Sequence, residues 1–326
     1  MDSDGIQRHP NNTFYSLSWG LVGYTVAIVL WGAWVRISGS GDGCGDHWPL
    51  CNGHFVPSSV PTKTWVEFAH RLSTGLYGIL VILQLAVARR QFESRHPART
   101  WSTLTLLFTI TEALIGRQLV TMGLVNESVD TARVVAMPLH LVNTALLLGS
   151  TVMTAEAIKY GHIPRVTPSS EVRRLLGILA GVFLILLTTG AVAALGAHLT
   201  PSHSLLAGLT KDLSSDSHLA VRLRLLHPLL ALLGPLGLWA ILEKLKERAP
   251  SSYSRTLFGR LSVVLIVAVL IGICTLLTLA PTWLKMAHLL MANVLIGMTT
   301  LCIFHTLRPS QKGSAAEQSS LRAARG

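Results

Sequence analysis

Eight stretches of this chain are each long and apolar enough to cross a bilayer, and that bounds the fold more tightly than anything else in the sequence. They lie near Tyr15–Ile37, Trp65–Ala88, Trp101–Thr121, Val134–Ala157, Leu175–Gly196, Leu219–Ile241, Leu257–Leu279 and Trp283–Thr306. In hydrocarbon a spanning segment must satisfy its own backbone N–H and C=O groups, so each stretch reads as a helix. Half of the 326 residues are hydrophobic, only 13% are charged, and the mean hydropathy is +0.50. The expected class is an all-α integral membrane protein, not a large soluble domain. The first segment has no strongly basic leader and no clear cleavage site, so it is expected to be a retained helix.

The net charge of +11 raises nucleic acid as a partner, but its distribution points elsewhere. With the N-terminus inside, the N-tail, 89–100, 159–174, 243–260 and the tail from Arg308 carry 18 of the 27 Lys and Arg residues. The segments 36–64, 117–133, 197–224 and 280–285 carry 8, and Arg71 lies within a span. The positive-inside rule then predicts cytoplasmic N- and C-termini, with basic loops touching anionic lipid and no nucleic-acid partner. The polar tail after Arg308 reads as disordered. The sequons at Asn11 and Asn126 read as chance matches.

Eight helices divide into two sets of four. The expected order is an N-tail (1–14), an N-terminal four-helix bundle (15–158), a cytoplasmic linker (159–174), a C-terminal four-helix bundle (175–307) and a cytoplasmic tail (308–326). The halves resemble each other weakly. HLVNTALLLG from His140 parallels HLLMANVLIG from His288, while HRLSTGLYG from His70 matches HPLLALLGP from His227 only loosely. An even number of crossings per half makes this a pseudo-symmetric parallel repeat. The odd helices carry small residues near one end: Gly32, Ala33, Gly39 and Gly41, then Gly116, then Gly190 and Gly196, then Gly272. Such residues permit close helix approach or a flat macrocycle against the backbone.

His70, His140, His227 and His288 each lie five to eight residues inside an even-numbered span, so the topology puts all four towards the outer leaflet. Imidazole in hydrocarbon needs a partner, and four at one depth read as ligands. Facing side chains on different helices of a bundle are how haem iron is held. Pairing within each half gives His70 with His140 and His227 with His288. The other histidines are weaker candidates, and His305, near the inner end of the last span, reads as a snorkelling or capping residue.

Glu67 stands three residues before His70, on the same helix face. It reads as an interfacial acid, as part of a Glu-x-x-His di-metal set, or as an acid beside a haem edge. Only Glu67 and Glu112 are counted as acids inside the spans, which disfavours the di-metal reading. Arg71 can pair with Glu67, with Glu112 or with a propionate. At the offset of Glu67 the other half has Arg224 before His227, an acid in one half and a base in the other. Cys44 and Cys51, in CGDHWPLC, suit a disulfide closing a small loop, as a staple or as a redox-active pair.

GAWVRISGSGDGCGDHWPLCNG from Gly32 and EFAHRLSTG from Glu67 resemble the haem A synthase family of bacteria and mitochondria. The resemblance covers the whole membrane region and is most specific in the first two helices and their loop. It implies that His70 and His140 hold the substrate haem O iron, with Arg71 at the same site. It implies that Glu67 is the catalytic acid, that His227 and His288 bind a permanent haem b that relays electrons, and that Cys44 and Cys51 are the family's outer-loop pair. The implied reaction oxidises the C8 methyl of haem O to the formyl of haem A through an alcohol. The implied setting is a bacterial plasma membrane, with haem O synthase and cytochrome oxidase assembly factors as partners and an unidentified electron donor. The sequence departs from the pattern at Pro228, where the family often has Arg. Two other classes compete: a bis-His b-type cytochrome that passes electrons from quinol, and a haem transporter or chaperone.

Overall fold

The computed structural model describes residues 12–57, 61–126, 128, 130–161 and 167–308. The tail after Arg308, Asn11 and much of the linker lie outside the described residues. Ten helices are described: α1 (Asn12–Ile37), α2 (Thr62–Gln91), α3 (Pro97–Thr121), α4 (Ala132–Tyr160), α5 (Ser170–Leu199), α6 (Leu205–Leu213), α7 (Leu219–Leu223), α8 (Leu226–Glu247), α9 (Ser252–Leu277) and α10 (Thr282–Thr306). With α7 and α8 taken as one broken segment, eight are long and apolar enough to cross a membrane, as the hydropathy pattern predicts.

Local chemistry sets the helix starts. Ser169 Oγ accepts the Val172 N–H, Ser204 Oγ the Ala207 N–H and Ser251 Oγ the Ser254 N–H, each satisfying a donor that the first turn leaves free. Pro97 opens α3, where a missing N–H costs nothing. Pro228 explains the break in the sixth span. It has no N–H to offer the Arg224 carbonyl, so α7 ends and α8 restarts with Pro228 in its first turn. The second span runs unbroken through His70. The short α6, in the loop after α5, is an element that hydropathy does not reveal.

α1–α4 pack on one another, and α5 packs with α7 and α8, α8 with α9, and α9 with α10. α4 meets α5 and α10, and α1 meets α10, so α1, α4, α5 and α10 form the seam between the two sets. Each set has an apolar interior: Tyr77, Val81 and Leu147 in the first, and Leu179, Leu242, Phe258 and Leu261 in the second. Outward-facing leucines such as Leu233 and Leu236 stay exposed, as lipid contact requires.

The end of the bundle away from the four histidines holds a polar contact across the seam. His305 Nε2 lies 2.8 Å from Glu156 Oε2, and Tyr15 donates its hydroxyl to Glu156 Oε1 at 3.2 Å. Glu156 is buried within α4, so the sequence count of two acids inside the spans is one short. His305 is accordingly an inter-helix partner of a carboxylate, not a snorkelling residue.

Candidate haem-ligand site

Each of the four histidines meets a glycine of the preceding odd span. A Cβ built on Gly32 would stand 3.1 Å from His70 Cε1, one on Gly190 3.1 Å from His227 Cε1, and one on Gly272 3.0 Å from His288 Cε1. The fourth seat is looser, with 4.0 Å between Gly116 and His140 Cε1. Of the small residues noted near the ends of the odd helices, Gly32, Gly116, Gly190 and Gly272 are thus ring seats for histidine. Gly196 serves close helix approach, since a Cβ there would strike the Ala220 carbonyl at 2.5 Å, and Gly41 packs on Val125.

The histidines also meet in pairs. The rings of His227 and His288 lie 6.2 Å apart between centroids with 72° between their planes. A metal ion held between two imidazoles needs ring centres about 6 Å apart, because a bond of about 2 Å on each side adds to the span from nitrogen to ring centre. The spacing of this pair would leave room for one metal ion between the rings. His70 and His140 lie within electrostatic reach of one another. Nδ1 of His70, of His140 and of His288 is buried with no hydrogen-bond partner. Buried, unpaired imidazole nitrogens are costly unless a ligand takes up part of the ring's polarity. Among the described residues no three His, Cys, Asp or Glu side chains converge on one point.

The surroundings of the two pairs differ. Glu112 Oε1 lies 3.5 Å from His140 Nδ1, and its carboxylate accepts from Asn143 Nδ2 at 2.6 Å and from the Thr144 hydroxyl. Its position four residues before Gly116 on α3 aims it at the ring seated there, a role the sequence alone did not supply. In the other pair, His227 Nδ1 lies 3.4 Å from Thr189 Oγ1, and among the described residues no carboxylate is paired with either ring.

Glu67 is almost wholly buried. Its Oε2 accepts the Cys44 N–H at 2.8 Å and its Oε1 accepts Arg71 Nε at 3.0 Å. Arg71 also donates to the carbonyls of His47 and Leu50, at 2.5 and 2.6 Å. Of the three partners open to Arg71, the structure brings Glu67. Cys44 and Cys51 form a disulfide that closes the loop bound by this pair.

The second half has a counterpart. Arg224 pairs with Asp212 of α6 and donates to the carbonyls of Thr200 and Gly208, each at 3.1 Å. Burial pushes the Asp212 carboxyl above its ordinary range, against the opposing pull of Arg224. The contrast of an acid in one half with a base in the other is therefore revised. Both halves tie their loop to the helix with an arginine, a carboxylate and two carbonyls, but the acid comes from the span in one and from the loop in the other.

The model of the COX15-CtaA family, described as cytochrome oxidase assembly protein, matches residues 15–300. A Thermus thermophilus protein named protoheme IX farnesyltransferase is 37% identical over 279 residues, which is 84% of this chain and 45% of that protein. Proteins named heme A synthase match a shorter stretch. The one from Bacillus mycoides is 40% identical over 98 residues, 30% of this chain and 32% of its own length. One from Bacillus cereus is 41% identical over 96 residues, 29% of this chain and 31% of its own length. The chain thus spans less than half the length of these curated relatives.

Proposed function

This chain belongs to the COX15-CtaA family of cytochrome oxidase assembly proteins, and from that premise we propose that it is a haem A synthase. In this reading it oxidises the C8 methyl of haem O to a formyl by way of the hydroxymethyl compound. The methyl carbon gains one oxygen atom and gives up four electrons and four protons; one molecule of O2 as the acceptor closes the balance, R–CH3 + O2 giving R–CHO + H2O. The observation that supports it best is the unequal lining of two histidine pairs seated on glycines in the same way. Among the described residues, the pair in the first half has a carboxylate, Glu112, beside one of its rings, and the other pair has none.

His70 and His140 would hold the substrate iron, and Glu112 would keep the His140 ring oriented, as outer carboxylates do for ligating histidines. Glu67 is the acid on the substrate side. As a carboxylate held by Arg71 and the Cys44 N–H, it would stabilise positive charge developing on the methyl carbon without reorganising. Arg71 fixes that carboxylate and binds the 44–51 loop over the site. His227 and His288 would hold a haem b, which supplies one-electron transfer when bound. Thr189 and the apolar seats would keep those two rings fixed.

The pseudo-symmetric parallel repeat of two four-helix bundles, with both termini cytoplasmic and the haem sites towards the outer leaflet of a bacterial plasma membrane, is part of the same reading. The recurrence of one histidine–glycine contact four times supports it. The farnesyltransferase name of the Thermus relative is not carried over, because more than half of that protein lies outside the match.

The test is to extract pigment after expression with and without co-expressed haem O synthase. Haem A or its alcohol precursor, found only with haem O supplied, is the expected result. Haem B alone under both conditions would sink the enzyme reading in favour of an electron-transfer cytochrome or a haem carrier.

A further inference from the structure

At the histidine-bearing end, the seam between the two sets of helices gathers basic side chains that, among the described residues, pair with no carboxylate. Arg36 comes from α1, Arg133 from α4, His198 from α5 and Lys285 from α10. Arg36 lies within electrostatic reach of Arg133 and Lys285, and His198 of all three. Arg133 is only 2% exposed. Its Nη1 donates to the Asn126 carbonyl at 2.6 Å, and His198 Nε2 lies 3.2 Å from that same oxygen. Arg133 Nε is buried with no partner. Among the described residues none of the four is in an ion pair with a carboxylate. Arg36, Arg133 and Lys285 repel one another, and such cations at this depth are costly unless an anion joins them; His198, a neutral imidazole among them, offers a further hydrogen-bond donor.

The positions of the four groups say which anion. Arg133 lies two helical turns from His140 on α4, and Lys285 lies one turn from His288 on α10. Arg36 is one turn beyond Gly32, the seat of His70, and His198 two turns beyond Gly190, the seat of His227. Every one of them is displaced from its histidine level towards the same end, and two come from each half. We propose that Arg36, Arg133, His198 and Lys285 form a dock for the propionate carboxylates of the porphyrins held by the histidine pairs. The proposal rests on the haem-binding reading. Guanidinium and ammonium donors make short, charge-assisted bonds to carboxylates, and the free Nε of Arg133 supplies a second donor for a two-point contact.

The experiment titrates the purified full-length chain with haem B and, separately, with haem B dimethyl ester, following the Soret band. The free acid is expected to bind at least about tenfold more tightly than the ester. In the double variant Arg133→Gln, Lys285→Gln that preference disappears, while ester affinity stays at the wild-type value and so reports an intact fold. Equal affinity for acid and ester in the wild type overturns the dock, as a lipid phosphate seated on the cluster would produce. So does an equal loss for both forms in the variant. If neither form binds, the haem reading itself falls and the dock with it; if both bind equally, the haem reading stands and only the dock falls.

Discussion

On α10, His288 lies against Gly272, and among the described residues no carboxylate pairs with its ring; on α4, His140 faces the looser seat of Gly116 with Glu112 3.5 Å from its Nδ1. The two rings occupy corresponding places in their halves, yet His140 has a carboxylate beside it that Asn143 and Thr144 hold in place. The loop anchors repeat the contrast. Arg71 and Arg224 each clamp two loop carbonyls, but Glu67 stands on the span three residues from His70, whereas Asp212 stands on the separate helix α6. On the proposed reading, a shared seat with divergent polarity separates a half that handles protons from one that only holds its ligand. An apolar shell keeps an iron site fixed and water out, while buried carboxylates are retained where charge develops.

The largest effect should come from removing the acid on the span. Glu67→Gln keeps the hydrogen-bonding shape but removes the negative charge. Haem A output should fall about 100-fold or more, with haem O or the alcohol accumulating and total bound haem unchanged in the optical spectrum. Asp212→Asn in the second half should leave product output within about twofold and show only a lower melting temperature. Equal loss of product in the two variants would break the comparison, because both carboxylates would then act only as loop anchors. Unchanged output in Glu67→Gln would remove Glu67 from the chemistry.

Hydropathy alone placed all eight spans to within a few residues, because the bilayer forces one apolar run per helix. It also put the four histidines at one depth, since depth follows from position within a run. Pairing was harder to read. The glycines at 32, 116, 190 and 272 are visible in the sequence, but seating a ring needs the rotation of two helices, which periodicity does not report. The same holds for Glu112, whose partner His140 is 28 residues away and becomes adjacent only once α3 and α4 pack. Arg224 misled for a different reason: its acid sits on α6, an amphipathic helix too short to register in a hydropathy window. Glu156 was passed over because it lies near the end of its apolar run, where an acid is ordinarily solvated, and only the packing of α10 buries it against His305.

A smaller effect is expected where a carboxylate acts through a ligand. Glu112→Gln leaves the His140 ring less firmly oriented and should weaken binding of the substrate porphyrin about 10- to 100-fold, read as a shift in the titration midpoint for haem O. Thr189→Val beside His227 should weaken haem b retention far less, because a hydroxyl at 3.4 Å is a poor partner for the ring. If Thr189→Val cost as much as Glu112→Gln, the two shells would be energetically alike and the polarity difference would carry no function.

The finest distinction lies in the seats themselves. A methyl group at position 272 would stand 3.0 Å from His288 Cε1, inside van der Waals contact, so Gly272→Ala must push the ring away by a few tenths of an ångström. A methyl group at position 116 would stand 4.0 Å from His140 Cε1, an ordinary contact that asks nothing to move. The first substitution should cost about 1–3 kcal/mol at the resident site, seen as partial loss of haem or a shifted redox potential. Gly116→Ala should leave haem O binding within about twofold. On the proposed reading the looser seat belongs to one ring of the substrate pair, His140, while His70 is seated as closely as the two resident rings. Were Gly116→Ala to cost as much as Gly272→Ala, that difference in clearance would have no bearing on which site exchanges its ligand.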